Sequence, residues 1–352
     1  MSLVRTAFLA TTLLSTSATL AQADVKVIAS IKPVHSLVSA VMEGVGSPDL
    51  LVEGAGSPHT YSLKPSQAKK LQDADLVFWM SHDLEAFLEN AIENIATNAR
   101  AVSLMESHGL LTLNFREGGA FDAHDHDDHG ERDEHGHDEH DEHKHDEHGH
   151  EDHDDHDEHK HDEHGHEDHD GHDDHDEHAH HGEDPHVWLD PVNAKAMVHE
   201  IEEALVEADP SNAAAYEANA GALMSRLDDL VAEIDAELEP VKGRGYVVFH
   251  DAYQYFEARF GVSAVGSITV SPEVLPGAER VAELQDKVRD LGATCVFSEP
   301  QFEPKLVATV TENTNAGTGV LDPLGTSIDD GPDLYFTLIR NMAASLKGCL
   351  LK

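Results

Sequence analysis

Short apolar runs alternate with helical stretches along most of this chain. Val25–Ile28, Leu50–Val52, Leu76–Met80 and Ala101–Leu104 each predict a short strand. Between them lie three predicted helices: Val34–Met42, Ser66–Gln72 (opened by Lys64-Pro65) and Leu84–Ile95. The rhythm returns later. Tyr246–Phe249, Val262–Ile268, Ala293–Phe297 and Gly319–Leu321 read as extended, and Ala252–Phe260, Ala278–Leu291, Lys305–Thr314 and Asp333–Leu346 as helical. Strands alternating with helices argue for parallel α/β architecture. A length of 352 residues suits two lobes better than one core.

The middle of the chain differs. His186–Leu189, after Asp184-Pro185, reads as one more strand, and Ala194–Glu207 as an amphipathic helix. A second helix starts at Asp209-Pro210-Ser211 and runs to Glu239 before Pro240, about 29 residues or roughly 43 Å at 1.5 Å per residue. Such a helix crosses both lobes as a rigid strut. The expected organisation is therefore an N-terminal lobe over 24–193, connecting helices over 194–240 and a C-terminal lobe over 241–352. Each lobe is expected to hold a mainly parallel sheet, with a long rigid α-helix joining the two.

Two segments break the pattern. Residues 1–23 read as a cleaved export signal: Arg5 supplies the positive start, Ala7–Leu14 the short apolar core and Ala21-Gln22-Ala23 the cleavage site. The apolar core is too short to span a bilayer, and no cysteine near the cleavage site indicates a lipid anchor. An exported protein without an anchor is expected in the periplasm. Residues 119–183 hold 22 of the 29 histidines and 29 Asp/Glu against 3 Lys/Arg. HDEHKHDEHGHEDHD occurs there twice, at 140–154 and at 156–170. With almost no apolar residues the segment cannot bury a core and is expected to be disordered.

The formal net charge of −46 excludes nucleic-acid binding, which needs a basic patch. Acidic balance suits attraction of cations and equally suits plain solubility. The two cysteines, Cys295 and Cys349, belong to a chain expected in a compartment where disulfides persist. A bond between them would pin the last helix to a strand; the alternative is two buried free thiols.

Outside the acidic segment seven histidines remain: 35, 59, 82, 108, 186, 199 and 250. Three share a place in the predicted architecture. His59 follows the strand at 50–52, His186 opens the run 186–189 and His250 closes the strand 246–249. Ligands of open α/β sheets bind beside strand ends, so this trio is placed to meet in the cleft between lobes. Three neutral imidazoles suit Zn²⁺, which prefers tetrahedral N, S and O donors. Asp322, after the last strand, is a candidate fourth donor; its alternative role is capping the turn before Pro323.

Five stretches in order carry a family resemblance: SPHTYSLKPSQAKKLQDADLVFW at 57–79, DPHVWLDPVNA at 184–194, FHDAYQYFEARFG at 249–261, CVFSEPQF at 295–302 and LDPLGTSI at 321–328. The chain resembles the ZnuA-type zinc-binding proteins of bacterial ABC importers, within the larger family of metal-binding solute receptors. The resemblance implies His59, His186 and His250 as ligands of one Zn²⁺. It implies a membrane permease and its cytoplasmic ATPase as partners, with periplasmic zinc chaperones as further candidates, and a monomeric receptor rather than an enzyme. Manganese-binding relatives put a carboxylate where His250 stands and use the aspartate matching Asp322. Some zinc members carry a glutamate before the first histidine, where this chain has Pro58, which leaves water, Asp322 or a histidine of 119–183 for the fourth position. Cys295 and Cys349 match positions that look disulfide-bonded in close relatives. The histidine-rich segment is another mark of the zinc-selective members, and its imidazole density implies weak auxiliary zinc binding, acquisition or sensing.

Two other readings compete. A zinc hydrolase would also hold the metal with three protein ligands, with Glu299 or Asp251 as base, but no HExxH signature is present. A zinc buffer without a membrane partner is the other.

Overall fold

The computed structural model describes residues 25–116, 121, 182–269, 278–290, 294–302, 305–312 and 314–352. The expected leader 1–23 and the segment 119–183 lie outside the described residues, apart from Phe121, Gly182 and Glu183.

In chain order the N-terminal lobe comprises β1 (Val27–Ala29), α1 (Lys32–Val41), β2 (Asp49–Leu50), α2 (Pro65–Gln72), β3 (Leu76–Trp79), α3 (Ala86–Asn94) and β4 (Arg100–Ser103). Its four strands are all parallel, in the order β2-β1-β3-β4. Two connecting helices follow, α4 (Pro191–Ala208) and α5 (Ala213–Leu238). The C-terminal lobe then comprises β5 (Gly245–His250), α6 (Gln254–Phe260), β6 (Ser263–Thr269), α7 (Ala278–Asp290), β7 (Cys295–Ser298), α8 (Lys305–Thr311), β8 (Gly317–Val320) and α9 (Leu334–Leu350). Its sheet repeats the arrangement, all parallel in the order β6-β5-β7-β8.

Both faces of each sheet are covered, which is why the central strands read as continuous apolar runs rather than alternating ones. In β1 and β3, Val27, Ala29, Leu76 and Phe78 face one core while Ile28 and Val77 face another with Leu71 of α2 and Leu88 of α3. In β5 and β7, Tyr246, Val248, Cys295 and Phe297 face the first of these cores, and Val247, Phe249 and Val296 pack with Leu284 of α7 and Val307 of α8. The shared core runs without a break from β1 through α1, α4 and α5 to α9.

The 26-residue α5 is about 39 Å long at 1.5 Å per residue. It is tied to both lobes. Asn219 Nδ2 donates to the carbonyls of Val41 and Glu43, both at 2.9 Å, at the end of α1. Farther along, Glu233 accepts two hydrogen bonds from Arg340 of α9, at 2.8 and 2.7 Å. The helix begins later than the sequence predicts, because Pro210–Asn212 forms a separate 3-10 turn. Asp209 accepts hydrogen bonds there from Ser211, Asn212 and Tyr216.

One predicted strand is absent. Val187–Leu189 forms a 3-10 turn and joins neither sheet. Asp-Pro pairs bracket it, and a residue before proline is driven to an extended conformation that ends the turn at Asp190. The run is apolar because Val187, Trp188 and Leu189 are buried in the shared core. Three apolar residues carry no period that separates strand from turn.

Cys295 of β7 and Cys349 of α9 form a disulfide, with Cα atoms 6.2 Å apart. The bond pins the last helix to the C-terminal sheet. Among the described residues no helix is long and apolar enough to cross a membrane.

Candidate metal centre

Each lobe has a point where the strand order reverses, between β1 and β3 in one and between β5 and β7 in the other. Ligand-binding side chains gather beyond the strand ends at such points. In the C-terminal lobe His250 ends β5 and Glu299 directly follows β7. In the N-terminal lobe the equivalent point holds Ser30 and a wholly buried Glu85, whose Oε2 accepts the Met80 amide at 2.7 Å. Burial pushes the Glu85 carboxyl up to about 7, against the Met80 amide and the nearby polar groups of Ser30 and Ser81 that pull it down.

His59 stands on the loop between β2 and α2. That loop is drawn in by Tyr61, whose hydroxyl donates to the Leu51 carbonyl at 3.1 Å, and by Gln67, which donates to the same carbonyl at 2.5 Å and to Tyr61 at 2.8 Å. His186 precedes the 3-10 turn. Asp184 Oδ1 accepts from both its backbone amide, at 2.9 Å, and its Nδ1, at 2.6 Å. Glu299 Oε1 accepts from His250 Nδ1 at 2.6 Å.

The three rings converge. Centroids lie 5.5 Å apart for His59 and His186, 5.9 Å for His59 and His250, and 5.3 Å for His186 and His250. One ring nitrogen from each lies within 4.8 Å of the others, the one such His/Cys/Asp/Glu group among the described residues. Zn–N bonds of 2.0–2.1 Å in a tetrahedron need nitrogens roughly 3.4 Å apart, so a contraction of at most about 1.4 Å closes the set.

The paired carboxylates settle which nitrogen is offered. An ionised carboxylate only accepts, so the Nδ1 atoms of His186 and His250 carry the protons. Each neutral ring then presents an Nε2 lone pair, the carboxylate–histidine arrangement that orients metal ligands. His250 Nε2 is buried and has no hydrogen-bond partner among the described groups. Burial opposes charge on His250, but Glu299, with Asp251 and Asp184 behind it, holds the imidazole above the ordinary histidine value. Protons therefore compete with a metal at this ring.

The cleft wall is completed by Ser57, Pro58, Trp188, Gln301, Phe302, Pro323 and Leu324. Asp322 lies beside it, with its oxygens engaged in the turn. Oδ1 accepts from Gln301 Nε2 at 2.9 Å and from the amides of Leu324 and Gly325 at 3.1 and 3.0 Å; Oδ2 accepts from the Thr326 amide at 2.6 Å. Asp251 is in an ion pair with Arg116. Of the other histidines, His35 is buried against the Pro48 carbonyl, while His82 and His199 pair with glutamates on exposed surface. Asp184 escaped the sequence reading, although its position two residues before His186 in DPH was the available signal.

Two parallel-sheet lobes with a nitrogen donor set between them define the class of bilobal metal receptors. The family described as "Zinc-uptake complex component A periplasmic" matches residues 27–349. The high-affinity zinc uptake system protein ZnuA of Brucella suis is 55% identical over 327 residues, covering 93% of this chain and 92% of that protein. A crystal structure of ZnuA superposes with TM-score 0.66 at 21% identity, covering 93% of this chain and 99% of that one. The solute-binding protein FpvC of Pseudomonas aeruginosa, in complex with Mn²⁺, superposes with TM-score 0.68 at 17% identity over 94% and 99% of the two chains. The chain belongs to the ZnuA-type family of periplasmic zinc-uptake binding proteins, which are receptors and not enzymes.

Proposed function

We propose that this protein captures one Zn²⁺ in the periplasm with His59, His186 and His250 and delivers it to the permease of an ABC importer driven by a cytoplasmic ATPase. The observation that carries the reading is the convergence of three imidazoles, two of them oriented by buried carboxylates. Three neutral nitrogens favour zinc over the harder manganese ion. The fold itself does not choose, since the Mn²⁺-bound FpvC shares it. Water completes the tetrahedron in this reading; Asp322 or a histidine of 119–183 reaches the metal only by leaving its turn or by closing over the cleft.

The receptor acts as a monomer with lobes over 24–193 and 241–352 joined through 194–240, exported by cleavage of 1–23. The segment 119–183 binds further zinc weakly through its 22 histidines and passes it on to the cleft or senses it. Periplasmic zinc chaperones are candidate donors.

Chelator-competition titration tests the site. His59→Ala is expected to weaken the tightest zinc site by roughly 100-fold, since loss of an outer partner alone costs 10–100-fold. His108→Ala and His199→Ala are expected to leave it unchanged. Equal losses in all three would refute the assignment. Removing residues 122–181 is expected to abolish the weak stoichiometry and keep one tight site.

A further inference from the structure

The residues flanking the histidine-rich segment form a closed neck. The Phe115 amide donates to the Gly182 carbonyl and the Asp184 amide to the Leu113 carbonyl, both at 2.8 Å. Asn114 and Glu183 form an antiparallel bridge, and Thr112 Oγ1 donates to Glu183 Oε1 at 2.9 Å. The chain thus leaves and re-enters at one place.

In sequence this neck follows β4 and precedes α4. In space it is fastened to α6 of the other lobe. Tyr255 accepts from the Leu113 amide at 2.9 Å and donates to the Asp184 carbonyl at 2.7 Å. Gln254 Nε2 donates to Asp184 Oδ2 at 2.6 Å and to the Asn114 carbonyl at 3.1 Å. Arg116 completes the attachment. Its guanidinium grips both oxygens of Asp251, with Nε to Oδ2 at 2.9 Å, and Nη1 donates to Glu257 Oε2 at 2.6 Å. Both carboxylates are 4% exposed, and the Phe121 ring covers the guanidinium at 4.1 Å.

These contacts end on the partner of one histidine and on the chain neighbour of another. Asp184 holds His186 Nδ1, and Asp251 directly follows His250. We propose that the neck is an inter-lobe strap that sets the spacing of His186 and His250, with Arg116 as the positioning residue on the C-terminal side. This rests on the reading of the three histidines as the zinc site. Arg116 never touches the metal. Its forked, directional hydrogen bonds fix the turn between β5 and α6 against the neck. Without it two buried carboxylates lose their counter-charge, and the turn that carries His250 opens to water.

The test uses the full chain with Trp79→Phe as background, leaving Trp188 as the sole indole, its ring 5.1 Å from His186. Zinc affinity and release rate are read by chelator competition and Trp188 fluorescence. Arg116→Gln is expected to weaken the tight site by about 10-fold, mainly through faster release, as loss of outer-shell support does. Arg116→Lys is expected to fall between it and the wild type. Arg340→Gln, which breaks a forked pair between α9 and α5, is expected to lower Tm and leave zinc binding alone. An Arg116→Gln protein with reduced Tm but unaltered zinc affinity and release overturns the strap. Should that variant not fold, Tyr255→Phe takes its place: a few-fold loss supports the strap, and unchanged binding overturns it. A background protein with no tight zinc site at all refutes the three-histidine reading instead.

Discussion

Glu85 carries a proton that its environment makes hard to lose. Its folded value of about 7 stands above the ordinary 4.5. Below pH 4.5 the carboxyl is protonated in folded and unfolded chains alike. Between those values the unfolded chain releases its proton while the folded one keeps it, so stability declines as pH rises; above 7 the loss is constant. The shift amounts to roughly 3 kcal/mol. Glu85→Gln is expected to leave urea stability nearly unchanged at pH 4 and to raise it by up to about that amount at pH 8. Parallel pH profiles for the two proteins would show that Glu85 does not titrate in this range. At this same scale the sequence exposed the three converging histidines but not the carboxylates bonded to them. His250 ends β5 and His186 directly precedes a 3-10 turn, places that linear position reveals, while His59 lies within the loop between β2 and α2. Asp184 Oδ1 and Glu299 Oε1 act through proximity, and Glu299 lies 49 residues from the ring that it orients. Asp322 was legible both ways, and the Asp-Pro-Leu-Gly turn has taken up both of its oxygens.

Among the elements, the disulfide between β7 and α9 closes a loop with a sequence separation of 54. Loop-closure entropy puts its contribution at about 4 kcal/mol. The Cys295→Ser/Cys349→Ser pair is expected to lose about that much in urea melts, with zinc affinity retained because neither residue reaches the cleft. Unchanged stability would mean that strain in the bonded form offsets the entropy. Strands and helices were legible wherever burial imposes a pattern: runs such as Leu76–Trp79 are apolar because both sheet faces are covered. The reading failed at Val187–Leu189, where apolar character reflects burial at the centre of the molecule rather than a place in a sheet. It also overran the start of α5, because Pro210 suits the opening of a 3-10 turn as well as that of an α-helix.

Across the whole molecule, one core extends through both sheets' inner faces and the helices between them. The lobes repeat a strand order and share this core, while each keeps a smaller apolar cluster on the outer face of its own sheet. Calorimetry is therefore expected to show a single unfolding transition, shifted upward as one peak by saturating zinc. Two resolved transitions, only one of them responsive to zinc, would contradict this. The common interior also ties cargo to lifespan. An ion held a thousandfold above its dissociation constant adds about 4 kcal/mol to the folded state. Because both lobes contribute to the inner core, that gain is expected to reach both of them together. The unloaded receptor is then expected to be cut sooner than the zinc-loaded one in a protease challenge.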